Sequence, residues 1–536
     1  MAEFGGLNWS ILGIYVIANL GLGFFLGKKI ESAEDFFLGD RSIPWWAIGV
    51  SVISTYVSAL TFLGGPAWSY TEGLSVIAIH LNYPIVIFFV VTFFLPFFYN
   101  SGVASIYDYQ EKRFGPTSRS VMSCVFLISQ TLTSAAVLYA TSLVLEFITG
   151  LQVEYCIAII TLVALVYTMM GGIAAVIWTD VIQAGILFVG AFIILFALLG
   201  EMPLPLADAL SQLKAEGRTN ALDFSLDVSK VTTVWSGVIA MTLFHVTVYG
   251  ANQMMVQRTL AAKNIGEAKK SFMLMGFVAF FIYFLFILLG VLFYSYYGGR
   301  EFENGNTIIL EFATDYGLPG LMGIIAAAVL AASMSSLDSA FNSMSTVSTV
   351  DFYQRYFRPG QSGEHYLKVS RAFTVFWAFM IVIPALIFAE SEGSILEVLS
   401  KVGSYFVGAK LSMFALGFFS KHTTERGLLV GVAVGFAAVW YVATRTDVAW
   451  PWYCAIGAAV NMSVSLSASL LLDGRQSEFS PYTVRGQKRL FVEQGRAERE
   501  HGWFVIPGRV DRASYWLLGV FVFSVVFLYL FDAMIG

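Results

Sequence analysis

Apolar runs long enough to cross a bilayer, repeated along the whole chain, restrict the fold of this sequence more than any other feature. Residues 7–26 and 513–529 are two of many that approach or exceed the roughly 20 apolar residues a spanning helix needs. Only helices or closed barrels satisfy backbone N–H and C=O groups in lipid, and runs this long are helices. Charged residues make up 12% of the chain, against about 25% in a soluble domain. Cys124, Cys156 and Cys454 are scattered inside apolar runs, a pattern of neither a disulfide framework nor a metal site. The first run lacks a basic leader and a cleavage site, so we read it as a retained span.

Windowed hydropathy predicts about fourteen spans. They lie near residues 8–27, 44–68, 73–98, 118–149, 154–172, 175–200, 231–257, 271–297, 319–350, 369–389, 394–419, 427–443, 449–472 and 513–534. With the N-terminus outside, 24 of the 31 Lys and Arg fall on inward loops and five on outward loops, leaving Lys401 and Lys410 at or within a span. This asymmetry obeys the positive-inside rule and places both termini outside the cytoplasm. The largest loops, 201–230 outside and 473–512 inside, are too small for a catalytic domain. Phosphate-cradling, zinc-ligating and nucleophile-elbow motifs are absent where they would matter. No basic tract with interleaved aromatics suggests nucleic acid. We therefore expect no enzyme and no nucleic-acid partner.

The second and seventh predicted spans are interrupted in matching ways. One carries Gly64-Gly65-Pro66 after Ser51, Ser54, Thr55, Ser58 and Thr61. The other carries Gly250-Ala251-Asn252-Gln253 after Thr242, His245 and Thr247. They stand five spans apart, which predicts two five-helix repeats of opposite orientation. Discontinuous helices at corresponding positions are the best sequence pointer to a transporter's binding site. Further along, 332–339 reads Ala-Ser-Met-Ser-Ser-Leu-Asp-Ser. Its three- and four-residue spacing stacks Ala332, Ser335, Ser336, Asp338 and Ser339 on one helical face. Hydroxyls, a carbonyl and a carboxylate are hard ligands suited to an alkali cation. A membrane serine more often bonds its own helix. Asp338, however, is a carboxylate at a span centre and needs a partner or a function. Asp180 is a second such acid, able to help hold a cation or to share a proton.

Six motifs then carry a resemblance: Asp35-Phe36-Phe37-Leu38-Gly39, Ser58-Ala59-Leu60-Thr61-Phe62, Gly171-Gly172-Ile173, Trp178-Thr179-Asp180-Val181-Ile182-Gln183, Asn252-Gln253 with Gln257-Arg258, and Ser335-Ser336-Leu337-Asp338-Ser339-Ala340. In this order the chain resembles the sodium:solute symporter family, which includes sodium/glucose and sodium/sialic acid cotransporters. The resemblance implies an all-α, leucine-transporter-like 5+5 inverted repeat. Residues 1–43 would form an extra span and linker, 44–200 the first repeat, 201–230 an outer loop, 231–419 the second repeat, and 420–536 the C-terminal spans. It implies a main sodium site on Ser54, Val57, Ala332, Ser335 and Ser336, and a second on Asp180, Ser335, Asp338 and Ser339. The positions matching substrate contacts are Ser58, Thr61, His80, Thr133, His245 and Ser400. Two departures leave the substrate open. Thr133 stands where sialic-acid carriers have an arginine, and Gly276-Phe277-Val278-Ala279 lacks the lysine of sugar carriers.

The function implied is symport of a small polar metabolite, a sugar or sugar acid favoured, with one or two Na+ ions. The alternatives are proton coupling through Asp180 and Asp338, a monocarboxylate or other small organic anion as substrate, or a channel or sensor. The expected setting is a bacterial inner membrane, with the chain acting as a monomer.

Overall fold

The computed structural model describes residues 4–27, 43–101, 105–389, 395–476 and 478–535. The motif 35–39 lies outside the described residues. Among the described residues the regular structure is helical apart from a two-stranded ribbon, β1 (Arg499–Glu500) and β2 (Trp503–Phe504). Helix α1 (Gly5–Gly27) is followed by α2 (Trp45–Tyr56), a π-helical segment Leu60–Gly64 and α3 (Gly65–Glu72). A 3-10 segment Gly73–His80 leads to α4 (Tyr83–Phe89), a π segment Val90–Phe94, α5 (Leu95–Ser101) and α6 (Ile106–Arg113). Then come α7 (Pro116–Thr149), α8 (Val153–Glu201) and the surface helix α9 (Leu206–Ala215). A π segment Ser236–Ala240 opens α10 (Met241–Gly250), followed by α11 (Gln253–Leu260), α12 (Ile265–Tyr297), α13 (Ile308–Tyr316) and α14 (Leu321–Val347). Last are α15 (Gly363–Ala389), α16 (Ile395–Phe419), α17 (Glu425–Arg445), α18 (Pro451–Leu472), α19 (Val484–Glu493) and α20 (Tyr515–Met534).

Eleven segments among the described residues are long and apolar enough to cross a membrane, and Val153–Val166 and Ser236–Gly250 are shorter apolar helices. Burial sorts them. In the span Leu321–Phe357, 83% of the apolar window is buried, against 17% in Gly5–Leu22 and in Arg512–Met534. Helix α14 is therefore the centre of the bundle, contacting α1, α2, α7, α8 and α11. The peripheral helices turn Ile14, Ile17, Trp516 and Tyr529 outward, where lipid replaces protein as the apolar partner.

Two sequence readings change. The spans at 154–172 and 175–200 form one unbroken helix, α8, of 49 residues. At 1.5 Å per residue it exceeds a single ~30 Å crossing. The break in the second span lies not at Gly64-Gly65-Pro66 but at Val57-Ser58. Helix α2 ends at Tyr56, Val57 takes φ −81° and ψ 80°, and the chain resumes as a helix at Leu60. Gly64 and Gly65 remain helical, and Gly65 packs against Phe286 of α12.

A tighter contact involves Gly290 of α12, where an added Cβ would meet the Pro66 carbonyl and the Ser69 hydroxyl of α3. The carbonyl cannot move aside without moving its helix. Gly290→Ala is expected to destabilise the protein by roughly 1–3 kcal/mol. Thermal unfolding in detergent checks this; a melting temperature equal to wild type would refute the packing argument.

Candidate functional site

The seventh span breaks where its sequence suggested. Helix α10 ends at Gly250, Ala251 and Asn252 leave helical geometry, and Asn252 caps α11 by accepting from Met254 N–H. The two broken spans and the continuous α7, α14 and α16 surround one cavity of about 250 Å³. That is just below the range of drug-sized pockets, so it suits a small ligand. Ser58, Thr61, His80, Thr133, His245 and Ser336 all line it. Ser400 lies on α16, but its side chain is outside the described residues.

At the inner edge of the cavity the end of α2 supplies oxygens. A helix terminus leaves its last four carbonyls without intrahelical donors. Val57 N–H bonds the Ile53 carbonyl, and the Ser336 hydroxyl donates to the Thr55 carbonyl at 3.0 Å, itself 3.3 Å from the Ala332 carbonyl. Among the described residues no backbone N–H reaches the Ser54 carbonyl, and the Ser54 hydroxyl is buried without a partner. An oxygen-rich pocket with an orphaned hydroxyl and no nitrogen donor suits a hard monovalent cation. Ser58 caps the restart of the span, accepting from Leu60 N–H at 3.2 Å.

Ser335 turns the other way and donates to Asp180. Asp180 also receives the Ser51 hydroxyl and pairs with Arg258 Nη2 at 2.9 Å. The same Nη2 donates to the Ser339 hydroxyl at 2.7 Å, Nε to Ser51 at 2.8 Å and Nη1 to the Met254 carbonyl at 2.8 Å. Both charged side chains are wholly buried. The guanidinium thus binds two of the residues expected to hold a second sodium ion, Asp180 and Ser339. It joins α11 to α2, α8 and α14. Asp338 Oδ1 accepts the Ser339 N–H at 2.6 Å.

In the outer part of the cavity Asn82 fixes a histidine. Its Nδ2 donates to the Ile79 and Gly237 carbonyls at 2.8 and 3.0 Å, so Oδ1 faces His245 Nδ1 at 2.7 Å as an acceptor. This network assigns the proton to Nδ1 and leaves Nε2 as an acceptor. Tyr83 stacks on His245, and Tyr283 on His80. Thr133 bonds its own helix through the Ser129 carbonyl at 2.9 Å.

A second, wider space of about 1400 Å³ lies above and shares Trp68 and Trp450 with the cavity. Its walls come from loops predicted to be outside. Two of its acids are paired, Asp223 with Lys230 at 3.2 Å and Glu311 with Arg300. The Ser225 backbone N–H foremost, and Lys230, hold Asp223 below the usual carboxylate range. The opposite face is closed by charge. Arg119 pairs with Asp351 (Nε–Oδ1 2.8 Å), Asp108 (3.0 Å) and Glu111 (2.9 Å), and Ser105 and Ser123 complete Asp351. Burial works to raise the pKa of Glu111, but Arg355 and Arg119 outweigh it and hold the group low.

Sequence reasoning missed Arg258, Asn82, Tyr83, Tyr283 and Lys410. Arg258 was counted as an inward-loop charge and Lys410 as a span charge without a role. A charge inside an apolar run is itself a signal of function.

Two discontinuous helices facing one cavity lined by apolar walls and a few polar side chains, with a cation-suited oxygen cluster at its floor, define a secondary carrier. The sodium:solute symporter family model matches residues 36–435, and the chain belongs to that family. It is a multi-pass membrane protein that couples a small solute to sodium. It is 28% identical to the sodium/sialic acid symporter SiaT of Proteus mirabilis, over 88% of this chain and 97% of that one. It is 32% identical to the sodium/glucose cotransporter of Vibrio parahaemolyticus over 302 residues, about half of each chain. The solved structure of a sodium-coupled sialic acid symporter, substrate-bound and outward-open, aligns with a TM-score of 0.81 at 27% identity, over 89% of this chain and all of that one.

Proposed function

We propose that the protein imports a small polar metabolite, a sugar or sugar acid, together with one or two sodium ions by alternating access. The observation that carries this reading is the pair of broken spans meeting at the cavity, with the Ser336–Thr55–Ala332 oxygen cluster beneath it. Sodium on Ser54, Val57, Ala332 and Ser336, joined by Ser335 once it releases Asp180, ties α2 to α14. That steadies the broken helices around the solute, so each ligand raises the other's affinity. The wide outer space and the Arg119–Asp351 closure opposite support an outward-facing state.

We read 44–200 and 231–419 as inverted repeats within about fourteen spans, two of which lie along the 49-residue α8. We place both termini outside a bacterial inner membrane and take the unit to be a monomer. Asp180 is bound by Arg258, which counts against a proton relay there. At about 100 mV one sodium ion gains about 2.3 kcal/mol, and a tenfold gradient adds about 1.4. Two ions would supply roughly 7 kcal/mol for a neutral solute.

The test is uptake into proteoliposomes of labelled sugars, sialic acid, monocarboxylates and amino acids, with and without an inward sodium gradient. One compound should accumulate only with sodium. Accumulation driven by a pH gradient alone would overturn the sodium assignment.

A further inference from the structure

We propose that Lys410 is the anion anchor of this cavity and that the transported solute carries a carboxylate. The inference rests on the cavity being the substrate site. Helix α16 presents Gly403, Val407 and Lys410 to it at four- and three-residue spacing, one face of the helix. Lys410 is 7% exposed, and its Nζ donates to the Ser129 hydroxyl at 2.5 Å. That hydroxyl gives its own hydrogen to the Phe126 carbonyl at 3.1 Å, so it serves Lys410 only as an acceptor. An ammonium carries three N–H groups. Among the described residues the other two have no protein acceptor, and the Phe126 ring centroid lies 5.8 Å from Nζ.

The other buried cations behave differently. Four Lys and Arg side chains are buried among the described residues: Arg119, Arg258, Lys269 and Lys410. The first three hold Asp351, Asp180 and Asp511 respectively. Lys410 is paired with no carboxylate, and the described residues lining the cavity include no Asp or Glu. A sodium ion beside Ser336 would add a second positive charge to the same low-dielectric space. A buried charge is costly unless it is paired, and the missing counter-charge is supplied when the solute is an anion. Lys410, Gln130 and Ser129 form the cationic end of the cavity. His245 Nε2 and Thr61, also in the lining, offer acceptors for hydroxyls, so a hydroxy-carboxylate or sugar acid fits the set.

The experiment uses full-length protein in proteoliposomes and solute pairs that differ by one charge: glucuronate and glucose, lactate and propane-1,2-diol, sialic acid and its methyl ester. At least one carboxylate should be taken up with sodium and its neutral partner should not. Lys410→Gln should raise the KM for that carboxylate on the order of a hundredfold, while Lys410→Arg loses less. Sodium-dependent thermal stabilisation of both variants should persist, showing that they fold and keep the main cation site. Charge moved per solute should be one fewer than the sodium ions moved. Sodium-driven uptake of a neutral solute, unchanged in Lys410→Gln, would remove the anion assignment and leave symport standing. Carboxylate uptake that needs Lys410 but no sodium would retain the anchor and remove the sodium reading. A panel in which no carboxylate is taken up also overturns the proposal.

Discussion

Replacing Arg258 with alanine is expected to destabilise the protein by about 3–5 kcal/mol, because it strands the Asp180 carboxylate in the centre of the bundle. Asp180 keeps two serine hydroxyls, from Ser51 and Ser335, but loses its only opposite charge among the described residues. Hydroxyls alone do not offset the desolvation of an ion. The lysine variant is no remedy. One guanidinium reaches Asp180, Ser339, Ser51 and the Met254 carbonyl from fixed directions, and a single ammonium cannot reproduce that fork. The decisive comparison is the double variant Arg258→Met with Asp180→Leu. Removing both charges at similar volume is often neutral or stabilising, so the double variant should melt well above Arg258→Ala. Transport should be lost in both, since α11 and α2, from the two broken spans, would no longer be tied to the continuous α8 and α14. Thermal unfolding in detergent decides the first part. Arg258→Ala melting with wild type would mean that Asp180 is neutralised in another way.

The transmembrane class and the break in the seventh span were legible because their causes are local. Long apolar runs have one solution in lipid, and Gly250 followed by a capping Asn252 ends one helix and begins another. The break in the second span was misplaced for a physical reason. Val57 reaches φ −81°, ψ 80° without needing glycine, so no glycine or proline marks the site, and nearby Gly64-Gly65-Pro66 draws attention to a stretch that stays helical. The positive-inside rule describes insertion, not the final environment. Arg258, Arg119 and Lys269 were assigned to inward loops, yet all three are buried in ion pairs. Lys410 stayed hidden because a hydropathy window averages one charge into its apolar neighbours. Only the folded arrangement shows that its neighbours among the described residues include no acid.

Ser336→Ala is expected to abolish sodium-stimulated uptake while leaving the fold intact. The hydroxyl spans from α14 to the open end of α2, donating to the Thr55 carbonyl at 3.0 Å. It is also one of the oxygens proposed to surround sodium, so one substitution removes both a ligand and a link between a broken and a continuous helix. In wild type, sodium at a hundred times its dissociation constant should stabilise the protein by about 2.7 kcal/mol. In Ser336→Ala that increment should shrink towards zero, with the sodium-free melting temperature lowered by no more than one buried hydrogen bond implies, about 1 kcal/mol. Asp338→Ala separates the two proposed sites. Asp338 accepts from the Ser339 backbone and belongs to the proposed second site, so the variant should retain sodium stabilisation through Ser336 but couple fewer ions, read as a lower sodium Hill slope and a smaller charge per solute. An unchanged slope would assign Asp338 to structure and leave one coupled ion. With an anionic solute, one sodium ion makes the cycle electroneutral, and the membrane potential then contributes nothing to accumulation. Uptake that responds to potential at fixed sodium would therefore require a second ion, and the second site would have to form despite the guanidinium that Arg258 places beside Asp180.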